Sequence, residues 1–312
     1  MVDLSVKIGG ITLKNPVMPA SGTFADGLAR LFPFDRLGAL VTKTITAELR
    51  GGNPTPRVAE VGQGMLNSIG IPSKGVPYFI ENILPQFAGF SAPLVVSVSA
   101  PTAELFADIV RSLDLPGIAA IEANISCPNI EEDGKAFAMQ PRSTAAVVDQ
   151  IRKATTRPLW VKLTPNTGDI AAVALAAEHS GADALVVANT ILAMSVDTNT
   201  FRPRLGSLMG GYSGPAIKPI VLRMVYQCAK LVRIPIIGCG GISTVEDAVE
   251  YMLVGAAAVQ VGTATFIKPA AMLDIIEGLG AFCEQRDIKR VSDLTGAVRD
   301  SGMNVDRLEV VP

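Results

Sequence analysis

Histidine is almost absent from this 312-residue chain, which has one, His179. Imidazole acid–base chemistry and His-rich metal sites are therefore nearly closed to it, and a catalytic base would have to be Cys, Lys, Asp or Glu. The four cysteines, Cys127, Cys228, Cys239 and Cys283, lie far apart with no Cys-x-x-Cys pair. That spacing argues against a disulfide framework, a structural zinc site or an iron–sulfur cluster held by this chain alone. Charge is scarce and balanced: 27 Lys and Arg against 29 Asp and Glu, 18% of residues, give a net charge of −2. Such a surface offers no grip on a polyanion, so nucleic acid is not an expected partner. Long apolar runs are missing too. The stretches Leu185–Met194 and Met252–Val261 are broken by Asn, Gly or Gln, short of the ~20 residues a membrane-spanning helix needs. Residues 1–7 lack the apolar core of a signal peptide, and a cytoplasmic location is expected.

What the chain does have is apolar residues, 49% of the total, with a mean hydropathy of +0.38. Disorder is excluded, and much of the chain must be buried. Short Val/Ile/Leu/Ala runs alternate with amphipathic segments of helical length. The runs predict strands near 17–20, 39–43, 93–99, 119–125, 158–163, 183–189, 234–239 and 257–262. Helices are expected at 102–113, 143–155, 169–180, 215–232, 245–254 and 270–284. Eight strands with intervening helices and no linker predict one (β/α)8 TIM-barrel domain over residues 1–312. Residues 6–13, with Gly9-Gly10 at their centre, read as a hairpin closing the bottom of the barrel. An open doubly wound sheet is the alternative, but the first strand ends in Ala20-Ser21-Gly22-Thr23 without a Gly-rich phosphate fingerprint.

In such a barrel the chemistry sits at the C-terminal strand ends. There the sequence places Ser21, Lys43, Thr44, Ser97, Ser99, Asn124, Ser126, Cys127, Lys162, Asn189, Thr190, Gly240, Gly241, Gly262 and Thr263. Lys43 and Lys162 end apolar strands, where an ammonium needs a partner. They point either to an anionic or electron-rich ligand or to ion pairs at the rim. The glycine clusters around Gly240 and Gly262, with Tyr212-Ser213-Gly214-Pro215, suit a phosphate-bearing cofactor, although tight turns also require glycine. Asn124-Ile125-Ser126-Cys127-Pro128-Asn129 precedes a polar, Gly-containing stretch and reads as a loop over the site. Its thiol is either a general base or a buried structural cysteine. Residues 65–71 fall in a long connection that should reach over the mouth, and Asn67 could there meet an amide or imide edge or simply form a turn. His179, at a helix C-terminus on the bottom face, reads as structural.

Taken together, these residues resemble the class 1 dihydroorotate dehydrogenases, and most closely the class 1B catalytic subunit. The resemblance spans nearly the whole chain. It is carried by residues 15–22 (NPVMPASG), Thr42-Lys43-Thr44, residues 52–57 (GNPTPR), Asn67 to Ile71, Asn124 to Asn129, residues 161–166 (VKLTPN), Asn189-Thr190 and residues 210–215 (GGYSGP). It implies an FMN enzyme that oxidises dihydroorotate to orotate in pyrimidine synthesis. Cys127 would take the C5 proton while hydride passes from C6 to flavin N5. Lys43, Asn67, Ser68, Ile69, Gly70, Ile71, Asn124, Asn189 and Thr190 would hold the substrate. Ser21, Lys43, Thr44, Ser97, Asn124, Lys162, Ala188, Gly214, Gly240, Gly241, Gly262 and Thr263 would hold FMN. Class 1B further implies a homodimer joined to a partner subunit carrying FAD and an iron–sulfur cluster, a heterotetramer that delivers electrons to NAD. The sequence departs from the family pattern at Ser97 and Ser73, where Asn is usual. The other readings are a fumarate-reducing class 1A enzyme, a dihydropyrimidine dehydrogenase, whose loop usually carries His where this chain has Asn129, and a phosphosugar lyase or isomerase using Lys162.

Overall fold

The computed structural model describes residues 2–23, 32–126 and 136–299; Cys127 lies outside the described residues. The chain opens with a hairpin of β1 (Val6–Ile8) and β2 (Ile11–Leu13), whose turn holds Gly9 at φ +50° and Gly10 at φ +86°. Positive φ at two successive positions is what glycine supplies at no steric cost. A Cβ on Gly9 would lie 3.0 Å from Trp160 Nε1 and 3.1 Å from the Asp183 backbone oxygen. The hairpin thus packs under the N-terminal ends of the barrel strands, as the sequence predicts.

The barrel begins with β3 (Val17–Pro19) and β4 (Leu40–Val41). A long excursion follows, containing β5 (Leu49–Arg50), β6 (Val58–Val61), β7 (Gly64–Asn67), β8 (Ser73–Lys74), α1 (Val76–Tyr78) and α2 (Leu84–Phe87). Regular alternation then sets in with β9 (Leu94–Val98), α3 (Ala103–Ser112), β10 (Ile118–Asn124), α4 (Pro141–Ala154), β11 (Leu159–Lys162), α5 (Ile170–His179) and β12 (Ala184–Val187). A second excursion holds β13 (Ile191–Ala193), β14 (Val196–Asp197), β15 (Arg202–Pro203) and β16 (Gly210–Ser213). The chain closes with α6 (Lys218–Ala229), β17 (Ile236–Cys239), α7 (Val245–Leu253), β18 (Ala256–Val261), α8 (Ala264–Ile267) and α9 (Ala271–Glu284).

Eight strands form one sheet in the order β3-β18-β17-β12-β11-β10-β9-β4, every recorded pair parallel. The amide of Gly38 donates to Val17 O at 2.8 Å and that of Thr44 to Ser21 O at 3.3 Å, which ties β4 back to β3 and closes the ring. β9, β11 and β12 are buried along their whole length, the pattern of strands covered on both faces. Side-chain caps start the helices where the sequence supplies them. Thr102 accepts from Leu105 N, Asp169 from Ala172 N, and Thr244 forms a reciprocal capping box with Asp247.

The two excursions meet above the C-terminal strand ends. They pair as a four-stranded antiparallel sheet, β13-β16-β7-β6, with Gly211 opposite Asn67 and Leu192 opposite Gly211. The sequence shows that residues 65–71 reach over the mouth but not what they pair with. Strand pairing between segments so far apart in the chain leaves no local pattern. Among the described residues, no helix is long and apolar enough to cross a membrane.

Candidate active site

A cavity of about 610 Å³ opens between the C-terminal ends of the barrel strands and the antiparallel sheet above them. That volume lies in the range of small-molecule sites. It brings together most residues expected at a site. Ser21, Lys43, Thr44, Asn67, Ile69, Gly70, Ile71, Asn124, Lys162, Ala188, Asn189, Thr190, Gly214, Gly240, Gly241, Gly262 and Thr263 all line it. Ser68 and Ser97 do not. Ser68 turns into the loop, where its hydroxyl accepts from Asn53 Nδ2 at 2.7 Å and donates to Ser207 Oγ at 3.0 Å. Ser97 is fully buried behind Thr44. Ser73, the other departure from the family pattern, accepts from the amides of Thr46 and Gly75 and braces the first excursion.

Lys43 follows the last residues of β4, half-buried, and makes no hydrogen bond or ion pair with any other described group. Burial alone lowers its pKa from the ordinary lysine value. A desolvated, unpaired ammonium facing a cavity is unfavourable until an anionic or carbonyl oxygen arrives. Of the two sequence readings for this lysine, the rim ion pair has no counterpart among the described residues. Lys162, at the end of β11, is nearly fully buried and donates to Gln260 Oε1 at 3.1 Å and to Ser21 Oγ at 3.4 Å. It also sits against Cys239, whose thiol is raised chiefly by burial, with Lys162 opposing. Cys239 lines the cavity, and Cys228 and Cys283 are buried elsewhere.

Amide and hydroxyl groups gather beside Lys162, at the ends of the flanking strands β10 and β12. Ser126 Oγ donates to Asn124 Oδ1 at 2.5 Å, Asn189 Nδ2 donates to Ser126 Oγ at 2.5 Å, and the Thr190 amide donates to Asn189 Oδ1 at 2.8 Å. Asn67 is brought in from above by β7 and donates to Gly211 O at 3.2 Å. Neighbouring donors and acceptors of this kind suit a small planar ligand with imide or amide edges.

At the far end the turns after β17 and β18 form a cup. The amides of Gly240, Gly241 and Gly262 donate to no other group among the described residues. Gly241 has φ +70°, and a Cβ there would meet Gly214 O and Lys218 N at 2.9 Å, so only glycine fits. Tyr251 Oη donates to Gly240 O at 2.6 Å and pins the turn. The helix end next door is already committed. Asp247 Oδ2 accepts from Ser243 N, Ser243 Oγ and Thr244 N, and Oδ1 pairs with Lys218. The anion-binding capacity of the cup therefore comes from the glycine turns and not from α7.

Two residues of this region escaped the sequence reading, Glu122 on β10 and Gln260 on β18. Glu122 is 0% exposed and Gln260 1%. Gln260 Nε2 donates to Glu122 Oε2 at 2.6 Å, and Ser97 Oγ donates to Glu122 Oε1 at 3.1 Å. A signal existed: Glu122 is the one charged side chain of β10 and Gln260 the one polar side chain of β18, each upstream of the strand end where functional groups are sought. Among the described residues, no three His, Cys, Asp or Glu side chains are grouped to hold a metal.

The chain matches the dihydroorotate dehydrogenase family over residues 3–283. It belongs to that family. Among its relatives is the protein named dihydroorotate dehydrogenase B (NAD(+)), catalytic subunit, of Bacteroides fragilis, 46% identical over 303 residues, covering 96% of this chain and 99% of the relative. Proteins of the same name from Geotalea uraniireducens and a Thermoanaerobacter species are 44% and 42% identical, covering 95% and 96% of this chain and 98% and 99% of theirs. Similarity over nearly the full length of these dihydroorotate dehydrogenases includes both excursions that roof the cavity. The class 1B resemblance read from the motifs is thus the one the relatives bear out.

Proposed function

We propose that this chain is the FMN-binding catalytic subunit of an NAD-linked dihydroorotate dehydrogenase, oxidising dihydroorotate to orotate for pyrimidine synthesis. The observation that carries the reading is Lys43: a half-buried ammonium with no partner among the described residues, in a cavity walled by Asn67, Asn124 and Asn189. A ring bearing a carboxylate and imide edges satisfies both features at once.

The residues present fit FMN. The open amides of Gly240, Gly241 and Gly262, with Thr263 and Gly214 beside them, would hold the phosphate. Ser21, Thr44, Lys162, Ala188 and Asn124 would line the ring system, with Ser97 supporting Thr44 from behind. When bound, FMN would supply the acceptor for the hydride that leaves C6 of the substrate.

Lys43 anchors the substrate carboxylate and loses its desolvation penalty in doing so. Asn67, Asn124, Asn189 and Thr190 orient the ring through its amide edges, with the loop from Ser68 to Ile71 above them. Ile69, Gly70 and Ile71 line one side of the cavity, and we assign to them the exclusion of water from the reacting carbon. Cys127, three residues beyond Asn124, is assigned as the base for the C5 proton. Fixing the substrate by several directional contacts is what makes a weakly acidic C–H reachable by a thiolate.

The relatives are named catalytic subunits and carry NAD(+) in their names. On that basis this chain acts within a complex, and we assign electron delivery to NAD to a partner subunit holding FAD and an iron–sulfur cluster, in a heterotetramer built on a homodimer of this chain. The test is anaerobic. The purified chain should show a flavin band that dihydroorotate bleaches, and NAD should reoxidise it only when the partner is present. A chain that cannot be reconstituted with FMN would overturn the reading, and reoxidation by fumarate but not by NAD would move it to class 1A.

A further inference from the structure

A single buried hydrogen-bond chain runs through the wall of the cavity, from Thr44 at one end to Lys162 at the other. Thr44 and Lys162 line the cavity; Ser97, Glu122 and Gln260 lie behind it. The links are Thr44 Oγ1 to Ser97 Oγ at 2.9 Å, Ser97 Oγ to Glu122 Oε1 at 3.1 Å, Glu122 Oε2 to Gln260 Nε2 at 2.6 Å and Gln260 Oε1 to Lys162 Nζ at 3.1 Å. All five side chains are buried, so water does not compete for these links.

Proton accounting fixes the direction of every bond. An ammonium only donates, so Gln260 must turn its oxygen to Lys162 and its NH2 to residue 122. A carboxylate, balancing that ammonium, only accepts, so it takes one proton from Gln260 and one from Ser97. Ser97 has a single hydroxyl proton, now committed, and can only accept from Thr44. The Thr44 hydroxyl proton therefore points away from the cavity, and its lone pairs face in.

We propose that Glu122 is a positioning residue that sets the hydrogen-bond polarity of the cofactor-facing wall, making Thr44 an acceptor for an N–H of the bound ring. The proposal rests on the flavin reading above. Glu122→Gln tests it because the two ends of the chain are not equivalent. The Lys162 end cannot reverse, so a glutamine at 122 must offer its oxygen to Gln260 and its NH2 to Ser97. Ser97 then donates to Thr44, and the Thr44 hydroxyl proton swings into the cavity, where it faces a donor.

The measurement is the FMN dissociation constant of the full chain by flavin fluorescence quenching, with the melting temperature of each apo-protein as a check on folding. Glu122→Gln should weaken FMN binding about tenfold, and Ser97→Ala, which cuts the same arm without touching a charge, about threefold. In a Thr44→Val background both losses should shrink to less than about twofold, because no hydroxyl remains to be misdirected. Binding of FMN by Glu122→Gln as tight as wild type overturns the proposal, as does the same tenfold loss with Thr44→Val present. If Glu122→Gln does not fold, the Ser97→Ala pair decides alone: a loss undiminished by Thr44→Val overturns it. A wild-type chain that takes up no FMN overturns the flavin reading, a result distinct from any variant outcome.

Discussion

Replacing Lys43 by Met should move stability and ligand affinity in opposite directions. Lys43 is half-buried, has no partner among the described groups, and has its pKa lowered by burial alone. The apo-protein thus carries an ammonium that has lost hydration without gaining an ion pair among the described residues. Methionine keeps most of the stem and removes the charge, so the apo-chain should be stabilised by about 1 kcal/mol, in the range typical of relieved functional strain. For a chain of this size that is about 2 °C in melting temperature. Orotate binding should suffer, since a charge-assisted hydrogen bond contributes about 1.5–3 kcal/mol, or roughly 10- to 150-fold in affinity. The assays are a thermal melt of the apo-protein and an orotate titration of the FMN-loaded chain. The pH dependence follows with its sign. Because the folded pKa lies below the free lysine value of 10.5, the unfolded chain binds more protons between the two, and apo stability rises with pH through that window. Orotate affinity falls through the same window, and Lys43→Met abolishes both trends. A variant that melts lower than wild type and binds orotate equally well would refute the reasoning.

Three further outcomes are expected. Gly241→Ala forces a Cβ to within 2.9 Å of backbone at φ +70°, so FMN retention should fall at least tenfold on gel filtration while the circular dichroism spectrum stays native. Asp247→Ala removes the N3 half of the α7 capping box, with three hydrogen bonds from Ser243 and Thr244 and the ion pair to Lys218, and should destabilise the chain by about 1–2 kcal/mol in denaturant titration. Burial opposes ionisation of Asp247, but Lys218 and the Ser243 and Thr244 donors outweigh it and hold its pKa below 3.8. Its contribution should therefore be intact above that value and vanish as pH falls through the lower folded pKa. Cys228, pushed up to about 12 by burial, and the buried Cys239 and Cys283, also raised chiefly by burial, should resist a thiol reagent at pH 8 and react only after denaturation.

The sequence by itself determined the barrel and most of the cavity wall. The fully buried strand Ala184–Val187 reads as an unbroken apolar run and Leu94–Val98 as one broken only by Ser97, and the amphipathic segments between the strands show helical period. Because a (β/α)8 barrel places its chemistry at one end of every strand, the polar residues at those ends could be read as one site before their neighbours were known. Lys43, Asn124, Lys162 and Gly241 converge in the structure for that reason. Tertiary structure alone decided the rest. Pairing of β7 with β16 joins residues more than 140 positions apart, and hydrogen bonds between backbones carry no mark of the partner in the side chains. Whether Lys43 was paired, whether Ser97 faced the ligand or stood behind Thr44, and how Glu122 met Gln260 depended on side-chain directions inside a closed ring. Strand periodicity assigns a residue to a face of the sheet, but only closure of the barrel brings the inward faces of β10, β11 and β18 within hydrogen-bonding distance of one another.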